Sequence, residues 1–217
     1  MRQIITIATL KGGSGKSTLA SCLAVHWQVQ GRRPIIVDAD PQHSIVRLAA
    51  RDRALGGVTV VEDTTEDAWK TARDLAAMGQ PVIIDTPGFR SAATLACTAA
   101  ADFLLVPVKA SPLDVDRMLD TVQGLLAGSG NEARIFRCVL TQTTRDSVIS
   151  KHVREELLGA GLPLLRSELT SRVAYPEAAL YGATPNLLQQ RGPAARDIAA
   201  IAAEVDELCG FKLAAVA

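Results

Sequence analysis

At 217 residues, 48% apolar and 21% charged, the chain is long enough to bury one sizeable α/β core and too apolar to be disordered. Its 23 basic and 23 acidic residues cancel, so any nucleic-acid binding must come from a local patch and not from the overall field. No apolar run reaches membrane-spanning length, and the first expected strand starts too close to Met1 to leave room for a signal peptide; a cytoplasmic protein with no membrane partner is expected.

The first element is a β-branched strand, Gln3–Thr9, which runs through the glycine-rich turn Lys11-Gly12-Gly13-Ser14-Gly15-Lys16-Ser17-Thr18 into a helix over Ser17–Gln30. Strand, glycine loop and helix in that order are the context of a phosphate-binding loop. Glycines let backbone N–H groups turn inward around phosphate oxygens, and the helix N-terminus adds its dipole. Lys16 is placed to reach the β- and γ-phosphates of ATP, and the Ser17 hydroxyl to complete a Mg2+ shell. The match to G-x-x-x-x-G-K-[ST] has one departure, Leu10 where the first glycine belongs, and one addition, a second lysine at Lys11.

A second strand, Pro34–Asp38, ends in Asp38-Ala39-Asp40-Pro41-Gln42, which puts two carboxylates at the edge of the sheet that carries the loop. Taken alone, such a pair equally suits capping of the next helix, Ser44–Ala54. Strand Val58–Val61 and helix Thr65–Met78 lead to strand Pro81–Asp85, followed by Thr86-Pro87-Gly88. An apolar strand ending in aspartate reads as a Walker B strand with Asp85 binding Mg2+ through water, helix capping being the alternative.

The remaining elements are helix Ser91–Ala100, strand Phe103–Val108, helix Leu113–Leu126, strand Ile135–Leu140, helix Ser147–Leu158, a short strand Pro163–Leu165, and helices Pro176–Tyr181 and Pro193–Leu208. Near-continuous apolar strands alternating with helices predict one α/β domain over residues 1–217: a doubly wound, mostly parallel sheet with helices on both faces, the P-loop NTPase fold. Strand order does not follow from the sequence.

D-T-P-G also fits the D-x-x-G of GTPases, but Leu140–Asp146, where a guanine-reading N-K-x-D would stand, lacks it. ATP is therefore the expected nucleotide, with Thr141 and Gln142 as base-pocket residues. The four cysteines are scattered without a C-x-x-C pair and read as buried apolar side chains, and Trp27 as a core residue.

K-G-G-x-G-K-[ST] resembles the deviant Walker A motif of the ParA/MinD superfamily of ATPases, and D-x-D-P-Q resembles the corresponding segment of partition ATPases. Leu104–Pro112 and Arg172–Pro185 carry looser likenesses. The resemblance implies that Lys11 reaches the partner's ATP in a homodimer, that Asp40 places the attacking water, and that Asp38 holds the Mg2+ shell. The tail Phe211–Ala217 lacks the amphipathic membrane helix of MinD-type proteins, the cysteines do not suit a nitrogenase-type reductase, and no N-terminal helix-turn-helix precedes the first strand. What remains resembles the small, ParF-like partition ATPases.

Those imply ATP-gated, sequence-independent DNA binding, a ParB-like adaptor protein that stimulates hydrolysis, and a nucleoid-associated location. Between Arg134 and Arg196 nine basic residues face five acidic ones. Arg145, Lys151, Arg154, Arg172, Arg191 and Arg196 are the candidate DNA contacts, Arg191 at the place where the family keeps such an arginine. The same ATPase moving a protein cargo, a carboxysome or a chemoreceptor cluster, is the second reading. A metabolic ligase on the same scaffold is the third.

Overall fold

A computed structural model describes residues 3–111, 115–126 and 135–210. Pro112, the start of the helix expected over Leu113–Leu126, and the tail Phe211–Ala217 lie outside those residues. Seven parallel strands form one sheet: β1 (Ile4–Ile7), β2 (Ile35–Asp38), β3 (Thr59–Glu62), β4 (Val82–Asp85), β5 (Phe103–Lys109), β6 (Ile135–Thr143) and β7 (Leu169–Thr170), in the order β3-β2-β4-β1-β5-β6-β7. β1, β2 and β4 are buried along their whole length, which is why they read as unbroken apolar runs. β3, at the edge, is half exposed.

Alternation along the strands sends Ile5, Ile7, Ile36, Ile83 and Phe103 to one face, where they meet Leu19, Leu23 and Trp27 of α1 (Lys16–Val29). Ile45 of α2 (Ser44–Ala49) packs into the same cluster. The opposite face is covered by α3 (Ala68–Ala77), α4 (Ala92–Ala100), α5 (Val115–Leu126) and α6 (Val148–Gly159). Thr6 points to that second face, and its hydroxyl is satisfied by donating to the Cys97 carbonyl at 2.9 Å. The chain finishes with α7 (Ala174–Leu180), α8 (Pro185–Leu188) and α9 (Pro193–Cys209), and α9 closes the first face through Ile198, Ile201 and Val205. All four cysteines are buried thiols.

Several boundaries depart from the sequence expectation, β6 running on to Thr143 and α3 starting at Ala68 among them. α2 stops at Ala49 and not Ala54, and Ala54 and Leu55 beyond it take positive φ (42° and 48°). That turn buries Leu55, and the N–H groups of Arg53 and Leu55 bond instead to the carbonyls of Tyr181 and Gly182, at 2.9 Å each. Tertiary partners here outweigh helix propensity. The segment Pro163–Leu165 makes only a single bridge to Cys138, and the strand proper is Leu169–Thr170. Between them the chain leaves the ladder, and the N–H groups of Arg166 and Ser167 are taken by Glu204 of α9 at 2.9 and 2.7 Å. α8, only four residues long, has no counterpart in the sequence reading.

Sheet order places β1 between β4 and β5, the point at which the winding direction reverses. Ligands of open α/β sheets sit beyond the carboxyl ends of strands at that point. The glycine loop leaves β1 there, flanked by Asp38 of β2, Asp85 of β4 and Thr141 of β6.

Candidate nucleotide site

Gly13 and Gly15 adopt φ of 74° and 90°, conformations that an L side chain would strain. No side chain caps the start of α1, which leaves its first N–H groups for an anion. Two residues of β6 shape the loop. The Thr141 hydroxyl donates to the Ser14 carbonyl at 2.8 Å, and the Gln142 side-chain amide donates to the Gly13 carbonyl at 2.7 Å. Because trans peptides point C=O and N–H in opposite directions, carbonyls drawn toward β6 turn the following N–H groups away from it. The sequence assigned Thr141 and Gln142 to the base; both line a smaller cleft that adjoins the loop, and their donors also hold the phosphate loop.

Lys16 is buried, and burial lowers its pKa, with Asp85 and then Asp40 acting in the opposite sense. Its ammonium packs close to Gly88, after β4: a Cβ there would stand 3.1 Å from Lys16 Nζ and 3.2 Å from Gly12 Cα, a tight contact. Lys11 is exposed and does not line the cavity that Lys16 serves.

The three carboxylates differ. Asp38 is buried; one oxygen accepts from the Ile45 and Val46 amides at 3.0 Å each and the other from the Asp40 amide at 3.3 Å. Burial raises its pKa and those amides oppose the rise. It thereby ties the loop carrying Asp40 to the first turn of α2. Asp40 faces the cavity and accepts from the Gln42 amide at 2.9 Å.

Asp85 is fully buried, and among the described residues neither oxygen has a conventional hydrogen bond. Burial pushes its pKa up to about 7, although the Ser17 hydroxyl is close enough to hold the shift down. An orphaned buried carboxylate beside the Ser17 hydroxyl fits a divalent cation, which would be held by Ser17 and, through water, by Asp85.

The cavity over the loop has a volume of about 500 Å3, and Gly12, Gly13, Gly15, Lys16 and Asp40 are among the residues that line it. A smaller, more apolar cleft of about 210 Å3 adjoins it, sharing Gly15, Thr18 and Gln142 and walled by Leu169, Tyr175 and Pro176. The Tyr175 hydroxyl oxygen is buried there without a partner. A polyanion fits the first space and a flat heteroaromatic ring the second. Tyr175 was missed as an individual residue; its only signal was its place within Arg172–Pro185.

The expected DNA contacts divide. Arg172 is held by Asp197 through two bonds of 2.8 and 3.0 Å, and Arg154 by Glu168 at 3.1 Å and the Leu165 carbonyl at 2.9 Å. Arg145 is 87% exposed, and Lys151, Arg191 and Arg196 are exposed as well. Arg145, Arg172 and Arg196 come together around a groove of about 350 Å3 that includes Arg166, which the sequence reading passed over. Lys151, Arg154 and Arg191 do not line it.

The profile of the CobQ/CobB/MinD/ParA nucleotide binding domain matches residues 5–185. The chain is 30% identical over 208 residues to the maintenance of carboxysome distribution protein A of Gloeobacter kilaueensis, covering 94% of each. It is 26% identical over 184 residues to protein ParA of Rhizobium radiobacter, covering 82% of this chain and 83% of that one. Its fold superposes on the septum site-determining protein MinD of Pyrococcus horikoshii, solved with Mg-ADP, with a TM-score of 0.77, 17% identity and full coverage of both chains. The glycine loop at the switch point, the profile match over most of the chain and these relatives agree: the chain belongs to the ParA/MinD superfamily of P-loop ATPases.

Proposed function

We propose that this protein is a Mg·ATP-driven positioning switch, in which nucleotide-bound dimers hold a DNA surface and partner-stimulated hydrolysis releases them. One observation carries the reading. Two lysines five residues apart in one loop have opposite environments, Lys16 buried against its own site and Lys11 exposed outside it. Lys16 holds the β- and γ-phosphates in its own subunit. Lys11, exposed and outside that cavity, supplies positive charge to the site of a second copy, so turnover requires dimerisation. Asp40, at the cavity wall, orients the attacking water, and Asp38 fixes the loop that presents it. Bound magnesium would neutralise phosphate charge beside Ser17 and Asp85. Tyr175, Leu169 and Pro176 receive the adenine.

The exposed cations Arg145, Lys151, Arg166, Arg191 and Arg196 serve the phosphates of DNA without reading its sequence, while Arg154 and Arg172 hold the framework beneath them. An adaptor of the ParB kind, bound to plasmid or chromosomal DNA, triggers hydrolysis. Likeness to a carboxysome distribution protein favours a second reading on one point only: the same switch carries a protein assembly in place of DNA.

Fluorescence anisotropy of a random-sequence duplex, titrated with protein in ATP or ADP at two salt concentrations, tests the switch. ATP-dependent binding that weakens steeply with salt is the expected result; equal binding with ADP, or none with either nucleotide, overturns it. Lys11→Ala should keep nucleotide binding and lose stimulated hydrolysis; an unchanged stimulated rate removes the trans-acting lysine.

A further inference from the structure

A further cavity, of about 380 Å3, opens between α1, α2 and α7. It shares Ser17, Thr18 and Ser44 with the nucleotide cavity, so the two are continuous at the first turn of α1. Its floor is Ser21, one turn further along α1. That side chain is buried, and among the described residues its hydroxyl oxygen has no hydrogen-bond partner. Leaving a buried hydroxyl so is unfavourable, and a ligand accepting its proton would remove that penalty.

Two cations form the outer wall. Arg47 of α2 and Arg51, two residues past its end, both line the cavity. Among the described residues Arg47 has no carboxylate within ion-pair distance. Arg51 spends one of its five N–H donors on the Ala179 carbonyl across the rim.

The wall is fixed in place. Gly182, at φ 68°, lies so close under α2 that a Cβ would stand 2.5 Å from Arg51 Cβ and 2.7 Å from the Leu48 carbonyl oxygen. The Arg53 and Leu55 amides bond to the carbonyls of Tyr181 and Gly182 on the same side. No acidic side chain lines this cavity, whereas the nucleotide cavity has Asp40 and the basic groove has Glu168 and Asp197.

We propose that this cavity is a second oxyanion site that takes inorganic phosphate, with Arg47 and Arg51 supplying the charge and Ser21 the buried donor. The cavity adjoins the nucleotide cavity at Ser17, Thr18 and Ser44, while its charge and its buried donor come from residues that do not line that one.

Equilibrium dialysis of radiolabelled phosphate against the full chain tests it. The phosphate loop is saturated with Mg2+ and a non-hydrolysable ATP analogue, so that no γ-phosphate position remains open. Analogue occupancy is followed separately, which distinguishes failure of the nucleotide site from failure of this one. About one phosphate per chain is expected, with affinity at least about tenfold weaker in Arg47→Gln, about threefold weaker in Ser21→Ala, and analogue affinity unchanged.

Lys16→Ala without nucleotide should still bind phosphate. Absence of phosphate binding to the analogue-loaded protein, unchanged binding in Arg47→Gln, or its loss in Lys16→Ala overturns the proposal. Displacement of phosphate by excess ADP would assign the cavity to a nucleotide and overturn it also.

Discussion

Two buried carboxylates lie at opposite ends of this molecule's electrostatic range. Asp206, on α9, receives the Arg32 guanidinium through two parallel bonds of 2.6 and 2.8 Å, and both partners are nearly inaccessible. Asp85, at the carboxyl end of β4, is more deeply buried and has no conventional hydrogen bond. The first joins α9 to the turn after α1 and is complete within the chain. The second is complete only when something from outside is added. Satisfied burial marks what holds the fold, and unsatisfied burial marks where the fold awaits a ligand.

Breaking the complete pair should have the largest effect on stability. Arg32→Ala leaves Asp206 charged and unpaired, at a cost of about 3–5 kcal/mol, seen as a fall of about 10 °C in thermal melting. A fall under about 2 °C would show the pair to be solvated and the contrast false.

Removing the incomplete charge should act in the opposite direction. In chelator-treated protein, Asp85→Asn should melt higher than the parent at pH 8, by about 5 °C, while losing ATP hydrolysis. The sign follows from the folded pKa of about 7 against the ordinary 3.8. Between those values the folded protein retains a proton that the unfolded chain has lost, so the parent loses stability as pH rises through the window. The variant has no proton there to lose. Its advantage should vanish near pH 4 and be complete above about pH 7. Equal melting of the two at pH 8 would mean that Asp85 is not held unfavourably.

Thr141→Val sharpens the contrast at the smallest scale. It deletes one buried bond to the phosphate loop and should cost about 1 kcal/mol, with a several-fold loss of nucleotide affinity measured by titration. Full retention of affinity would show that β6 does not shape the loop.

Much of this was legible because it is written locally. β1, β2 and β4 declare themselves by being buried on both faces, and the phosphate loop by glycines whose positive φ the structure bears out at Gly13 and Gly15. What escaped depends on contacts distant in sequence. Thr141 and Gln142 reach back more than 120 residues to the loop carbonyls. Glu204 draws Arg166 and Ser167 out of the ladder, so Pro163–Leu165 could not hold the strand it promised. Beyond α2, Ala54 and Leu55 turn left-handed where the sequence promised helix, a conformation that neither residue advertises.

Gly88 has a consequence for how this protein can change over generations. Its missing Cβ is the space in which Lys16 rests, so the two positions are not independent letters. A side chain at 88 must be met by movement of the lysine or of the loop at Gly12, and neither can shift without disturbing the place where phosphate would lie. Alanine at that site therefore demands a shift of a few tenths of an ångström in the lysine or the loop, and a mutational library that admits it should return variants with lowered activity or compensating changes in the loop.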